Sequence, residues 1–199
     1  MVLLINIKKK FYQLIIIFVA HYCGNAQVNL KIDEKAKQAY IYCKKNKLNT
    51  KFCLLSNLSQ HSGKNRFYIY DFRTDKVLIS GLVCHGIGKN SKSEKPVYSN
   101  EVGSYCSSLG KYKIGKRGYF TWGIHIHYRM HGLEKSNSNA YKRQIVLHSY
   151  ELIPESETYP THLPMGWSLG CPVVSNNLMT IMDSLLKKEK KPTLIWIFE

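Results

Sequence analysis

The sequence predicts a mainly β domain with one helix at its N-terminal side and a second helix before its last strand. Residues 33–47 repeat apolar side chains at helical spacing, and from residue 66 onward short β-branched and aromatic runs alternate with turn residues. The chain ends in a continuous apolar run at 193–198. Its 199 residues, 44% of them hydrophobic, can bury one core and contain no internal repeat, so we expect one main domain.

The first 26 residues have the pattern of an export signal. Lysines at positions 8–10 precede an apolar run at 14–20, and the small residues Gly24 and Ala26 follow. The run is short for a bilayer span. We therefore expect cleavage after Ala26 and a mature protein in the periplasm or cell envelope, with an uncleaved membrane anchor as the alternative.

The chain is strongly basic, with a formal net charge of +16. Cleavage would remove three lysines and no acidic residue, so the charge would fall by 3 to +13. The electrostatic field of a strongly basic protein attracts anions. An exported protein meets anionic wall polymer or phospholipid before it meets nucleic acid. We expect no nucleic-acid partner, and no membrane contact except through the signal segment during export.

The predicted domain organisation places a helical segment at 27–62 and a catalytic domain at 63–199. Ser175 has the position of a helix cap, and apolar residues at 178, 181, 182, 185 and 186 form one helical face behind it. The run 193–198 predicts a strand in the middle of the sheet. The polar, aperiodic stretch 89–108 predicts a functional loop. The other predicted strands are 67–70, 76–84, 112–114, 119–122, 124–128 and 145–148.

The cysteines are odd in number once the signal is removed. Cys23 would leave with it, and five would remain. One free thiol and two bridges is the simplest partition for an oxidising compartment, with Cys171 unpaired. Pairing of Cys43 with Cys53 and of Cys84 with Cys106 rests on sequence nearness alone, and all five could be free, buried residues.

A cysteine and a histidine on separate segments carry the candidate chemistry. Cys171 follows Gly170 in a tight turn, and His148 ends the apolar run 145–147. Such a pair is the minimum for acyl transfer through a thioester, and it can rest as thiolate and imidazolium. The amides of Leu169, Gly170 and Cys171 could form an oxyanion hole. Each residue could instead be structural.

A second arrangement points to another class of protein. His125 and His127 alternate along a predicted strand, and His131 follows. Two imidazoles on one face could begin a metal site, although a fourth ligand is not identified. No C-x-x-C pair occurs, so we do not expect a structural zinc ion bound by cysteine pairs.

The sequence resembles the YkuD-type murein L,D-transpeptidases, in particular a branch whose cysteine motif is S-x-G-C-P. The resemblance covers about residues 66–198, and its ordered blocks are far more specific together than any one of them. These blocks are residues 82–86, 98–100, 103–104, 107–110, 132–134, 145–148 and 167–172.

The resemblance implies a β-sandwich or barrel-like catalytic domain that acts on peptidoglycan stem peptides as a monomer without a cofactor. In this family the cysteine attacks the L-to-D bond of a tetrapeptide, expels D-alanine and passes the acyl group to an amine, or to water in a carboxypeptidase. Cys171 would be the nucleophile, His148 the base, and Ser149 the residue whose carbonyl orients the imidazole. A non-catalytic wall-binding module remains an alternative.

The resemblance also implies a set of substrate contacts. One loop would line the cleft, the cysteine turn would contribute a serine, and arginines suit the carboxylates of stem peptides. His85 matches the branch pattern, but we assign it no proton transfer. The expected contacts are Ser107, Ser108, Gly110, Arg129, Arg143 and Ser168.

Overall fold

The computed structural model describes residues 30–199. The predicted export signal and its cleavage site lie outside the described residues. The described part of the N-terminal helix, α1, covers residues 30–45, close to the predicted range 33–47. Residues 39–199 form one compact unit. Within the described range, no helix has both the length and the apolar character needed to cross a membrane.

A nearly closed, nine-stranded sheet forms the body of this unit, and it confirms the predicted mainly β architecture. Helix α2 (Asn176–Leu186) precedes the last strand as predicted, and a 3-10 turn covers Lys135–Asn137. The strands are β1 Phe52–Asn57, β2 Phe67–Asp71, β3 Lys76–Gly81, β4 Val83–Cys84, β5 Gly110–Tyr119, β6 Ile126–Gly132, β7 Val146–Ser149, β8 Val173–Val174 and β9 Leu194–Phe198.

The strand order is β3-β2-β1-β9-β5-β6-β7-β8-β4. The last strand lies between β1 and β5, so its predicted central position is confirmed. It is parallel to β1, and β7 is parallel to β8; the other pairs are antiparallel. Strand β1 was not predicted: it lies inside the range 27–62 that the sequence predicted as helical, and all six of its residues are buried.

Strand β5 includes the predicted strand 112–114 and ends at Tyr119, so residues 120–122 of the predicted strand 119–122 lie outside it. Gly118 predicted a turn between the two runs, yet it lies inside the ten-residue strand, as does Gly115. A Cβ at Gly115 would lie 2.5 Å from the imidazole of His131, and one at Gly118 would lie 2.7 Å from that of His127. The glycines therefore leave room for two imidazoles of β6, and a register shift between Ile114 and Arg117 absorbs the irregularity.

Helix α2 is fixed to the sheet by its cap and by an ion pair. Ser175 Oγ accepts a hydrogen bond from the Leu178 amide, as the predicted cap requires. Asp183 accepts from Arg117 Nε on β5 at 2.7 Å and from the Tyr128 hydroxyl on β6 at 2.7 Å. These bonds connect helix α2 to β5 and β6, and β6 contributes residues to the cleft described below.

The five cysteines of the described residues are all free thiols. Neither of the two candidate disulfides is formed. Cys43, Cys53, Cys84 and Cys106 are buried, and Cys171 is half-buried. Burial raises the pKa of Cys43 and of Cys84 to about 12, so these thiols are unreactive core residues at neutral pH.

Candidate active site

The turn that carries Cys171 is built around Ser168 and Gly170. Ser168 Oγ accepts a hydrogen bond from the Gly170 amide at 3.0 Å and donates to the Cys171 carbonyl at 2.6 Å. Gly170 has a φ of +112°, and a Cβ there would lie 2.6 Å from the carbonyl oxygen of Cys106. The turn therefore requires glycine, and it fixes the position of Cys171.

His148 lies on β7 and is held in one tautomer. Its Nδ1 is 2.9 Å from the Ser149 carbonyl oxygen, which can only accept, so Nδ1 carries the proton. In the neutral ring, Nε2 then has a free lone pair, as a general base requires. The rings of Phe120 and Trp122 lie 5.1 Å and 6.2 Å from the imidazole, between ring centroids.

The parallel pairing of β7 and β8 brings the cysteine and the histidine to one cleft. His148 pairs with Val173 on β8, so Val146 lies level with Cys171. The Val146 amide donates to Cys171 Sγ at 3.5 Å. Cys171 and His148 both line an open cleft of about 520 Å³. The structure thus places the predicted nucleophile and base on the same surface.

Burial favours the neutral forms of both groups. It raises the pKa of the Cys171 thiol, while the Val146 amide, Arg143 and Arg129 act weakly in the opposite direction. Burial also lowers the pKa of His148, against the hydrogen bond to Ser149. Both shifts therefore favour a neutral thiol and a neutral imidazole over the thiolate and imidazolium pair that the sequence suggested.

This resting state predicts how the thiol reacts with iodoacetamide. The alkylation rate of Cys171 should be slow at neutral pH and should rise with pH to values above the ordinary thiol range, because only the thiolate reacts. The measurement is a pH series of alkylation rates by intact mass. A C171A chain corrects for the buried thiols. A fast rate that stays flat from acidic to neutral pH would instead indicate a resting ion pair.

The three amides proposed for an oxyanion hole are not equivalent. The Gly170 amide already donates to Ser168 Oγ. The amides of Leu169 and Cys171 have no hydrogen-bond acceptor in the described part of the chain. A developing oxyanion could therefore bind these two without displacing a protein contact.

Ser107, Ser108 and Gly110 lie beneath the cysteine turn or beyond it, and none lines the cleft. Ser107 Oγ accepts from the Gly86 amide and donates to the Gly170 carbonyl. Ser108 Oγ donates to a backbone carbonyl at 2.7 Å. Gly110 lies beside the side chains of Glu134 and Asn137. These contacts show that the two serines support the cysteine turn and the loop, while direct contact of Ser107, Ser108 and Gly110 with a substrate stays a prediction.

Arg143 clamps the loop 89–108 from within the cleft. Its Nη1 donates to the Ser99 carbonyl at 2.9 Å and to Ser108 Oγ, and its Nη2 donates to the Cys106 carbonyl. The predicted functional loop contributes to the cleft surface through Val102, Gly103 and Tyr105. The guanidinium therefore connects this loop to the back of the cysteine turn.

Sequence reasoning did not identify the aromatic walls of the cleft. Phe120 and Trp122 stack edge to face with ring centroids 4.9 Å apart, and Trp167 and Leu169 line the cleft with them. Phe120 and Trp122 follow the end of β5, where the sequence predicted another strand. The sequence shows a run of aromatic residues here, but only the folded sheet brings these side chains next to His148.

His85 is a buried positioning group. Its Nδ1 accepts from Arg66 Nη2 at 3.0 Å, and its Nε2 donates to the Lys92 carbonyl at 3.0 Å. Burial, with Arg66 as the second cause, lowers the pKa of His85 to about 4. The ring is thus neutral at physiological pH and tethers loop 89–108.

The three histidines of the alternative metal site do not converge. His127 lies in the cleft, His131 stacks on Tyr141 with ring centroids 5.4 Å apart, and His125 occupies the turn before β6 with a φ of +60°. Among residues 30–199, no three His, Cys, Asp or Glu side chains are grouped so that they could hold a metal ion.

The YkuD_2 family model, described as an L,D-transpeptidase catalytic domain, matches residues 24–197. No curated protein matches the sequence significantly.

Solved structures with related folds are distant in sequence. The helical cell shape determining protein Pgp2 from Campylobacter jejuni is 14% identical, with a TM-score of 0.46 over 73% of this chain and 46% of that one. The structure of the K307A mutant of Pgp2 is 13% identical, with a TM-score of 0.47 and the same coverage of each chain. The L,D-transpeptidase from Xylanimonas cellulosilytica is 13% identical, with a TM-score of 0.39 over 73% of this chain and 59% of that one. The present chain spans about half the length of the Pgp2 structure, 46%.

Proposed function

Because the chain belongs to the YkuD_2 family of L,D-transpeptidase catalytic domains, we propose that it is a cysteine L,D-transpeptidase acting on peptidoglycan stem peptides. The observation that carries the proposal is the shared cleft: Cys171 and His148 line it together, and the bond to the Ser149 carbonyl leaves His148 Nε2 free to accept a proton. The family and the basic N-terminal segment support action in the cell envelope after export.

The first half of the proposed reaction forms a thioester. His148 Nε2 takes the thiol proton as Cys171 Sγ attacks the carbonyl carbon of the L-to-D peptide bond. The amides of Leu169 and Cys171 stabilise the negative charge on the carbonyl oxygen. The Gly170 amide can also donate to this oxygen if it breaks its hydrogen bond to Ser168 Oγ. When the intermediate collapses, the carbon–nitrogen bond breaks, and the imidazolium gives its proton to the amine of the departing D-alanine.

The second half resolves the thioester. An amine of a neighbouring stem attacks the thioester carbonyl, His148 accepts its proton, and Cys171 leaves as the thiolate that His148 reprotonates. The open cleft leaves room for an acceptor on the exposed side, where Trp122, Tyr105 and Leu169 are each about half exposed. Water in place of the amine would make the same acyl-enzyme a carboxypeptidase intermediate.

The direct test is the product of incubating the purified chain with tetrapeptide muropeptides, analysed by mass. A cross-linked dimer with loss of D-alanine is the expected product. A tripeptide without a dimer would identify an L,D-carboxypeptidase. Unchanged muropeptide that still binds would indicate a wall-binding module, and absence of both turnover and binding would contradict the proposal. Metal analysis of the same preparation tests the histidine metal site.

A further inference from the structure

The cleft is cationic and has no counter-charge of its own. Arg129, Lys142 and Arg143 line it, and none of its described lining residues is an aspartate or a glutamate. None of the three takes part in an ion pair with another residue in the range 30–199. A ligand that carries a carboxylate would therefore meet uncompensated positive charge.

The two arginines differ in what they already bind. Arg143 uses both Nη atoms on Ser99, Cys106 and Ser108. Its donors are largely occupied, so its role is to hold the loop. The guanidinium of Arg129 makes no hydrogen bond to any residue that the structure describes.

The orientation of Arg129 is nevertheless fixed by an aromatic ring. Its guanidinium carbon lies 5.4 Å from the centroid of Tyr141, and His131 stacks on the same ring at 5.4 Å. A ring that takes one face of a guanidinium leaves the N–H groups at its edge available for a planar anion. Arg129 is thus a pre-oriented hydrogen-bond donor that could bind a carboxylate, and no carboxylate of the described residues occupies it.

The sheet fixes the distance from Arg129 to the nucleophile. Arg129 pairs with Val146 on β7, and the Val146 amide donates to Cys171 Sγ at 3.5 Å. The Cα atoms of Arg129 and Cys171 therefore lie in one row across the sheet, two interstrand spacings or about 10 Å apart. The guanidinium of Arg129 lies along β6 on the side of His131, because both side chains contact the ring of Tyr141, so it does not turn towards His148. The terminal carboxylate of the departing residue lies only about one residue, roughly 3.5 Å, from the attacked carbonyl. A side-chain carboxylate of the donor stem fits the longer span better.

We infer that Arg129 is the specificity-determining residue that selects donor stems with a free side-chain carboxylate, bound farther from the carbonyl that Cys171 attacks than the carboxylate of the departing residue. The inference rests on the proposed function and names a feature of its donor substrate. Arg143 does not make this selection, because its Nη atoms are bonded to the loop. Lys142 does not make it either, because its side chain is exposed and contacts no aromatic ring in the described residues. Amidation of the donor carboxylate removes the charge and one acceptor, so it should weaken binding at this position alone.

The experiment compares two donors and four chains. The donors are a tetrapeptide stem with free side-chain carboxylates and the same stem with those carboxylates amidated. The four chains are wild type, R129Q, R129K and K142Q. K142Q is the matched control, because it also removes one positive charge from the cleft. Steady-state turnover gives kcat and KM for each pair, and binding of both stems to the C171A chain gives affinity without chemistry.

Wild type should favour the free-carboxylate donor by roughly ten- to hundredfold in kcat/KM, the range for a charged hydrogen bond. R129Q should reduce this preference to within about twofold, because it raises KM for the free-carboxylate donor while turnover of the amidated donor stays unchanged. R129K should keep part of the preference, and K142Q should keep all of it. Equal wild-type rates for the two donors, equal loss on both donors in R129Q, or the same loss in K142Q would overturn the inference. If wild type turns over neither donor, the proposed function fails, and the binding comparison still tests Arg129.

Discussion

Replacing Cys171 with alanine is expected to reduce turnover of tetrapeptide stems by about 10⁴-fold or more, because no other described residue that lines the cleft carries a thiol. The four remaining thiols of the described chain are buried. Turnover and acyl-enzyme mass are the measurements: wild type should show a transient adduct, and C171A none.

The fold and the substrate site should survive this substitution. Cys171 is half-buried, and the polar contact of its sulfur in the described residues is the Val146 amide. Loss of one sulfur atom there should cost on the order of 1 kcal/mol of unfolding free energy. Stem-peptide binding to C171A should therefore remain within a few-fold of wild type, which separates loss of chemistry from loss of structure.

A second cysteine provides the matched control. Cys43 is buried on α1, and C43A removes the same atom from a position that does not line the cleft. C43A should retain wild-type turnover. Unchanged turnover in C171A would exclude Cys171 as the nucleophile, whereas equal loss in C43A and C171A would assign the effect to folding.

The sequence predicted the elements that have a clear period or cap. Helix α2 has a serine cap and a complete apolar face, and β9 is a continuous apolar run, so both were predicted close to their observed bounds. Strand β1 was missed because its six residues are buried on both faces and show no alternation. Strand β8 contains only two residues, Val173 and Val174, and it exists because β7 and β4 lie on either side.

The candidate site was predictable where chemistry is local. A cysteine after a glycine and a histidine at a strand end can be identified from residue type and position. The roles of Arg129 and Arg143 could not be separated in this way. Both suit a carboxylate, and only the contacts of Arg143 with the carbonyls of Ser99 and Cys106 show that its donors are occupied. Those contacts join segments more than 30 residues apart, so no spacing rule reveals them.

Replacing His148 with asparagine should lower turnover by roughly 10²- to 10⁴-fold, the usual contribution of a general acid–base group. Asparagine can still donate a hydrogen bond to the Ser149 carbonyl from a position near that of Nδ1, but it has nothing in place of Nε2. The substitution therefore removes the base while it keeps the contact that fixes the side chain. Turnover of H148N, measured against pH, should also lose the acidic limb that wild type shows below the ordinary histidine pKa, since burial lowers the pKa of His148.

Alkylation of Cys171 distinguishes a catalytic from a structural effect of this substitution. At alkaline pH, iodoacetamide should react with H148N and with wild type at similar rates, because the thiolate then forms without a base. A misfolded cleft would change that rate as well. H61N is the matched control, since His61 accepts from the Gly63 amide at 3.0 Å and does not line the cleft, and it should keep wild-type turnover. If H148N kept wild-type turnover, proton transfer in the cleft would have to pass to another group, and His127, the cross-strand neighbour of His148, would be the next to replace.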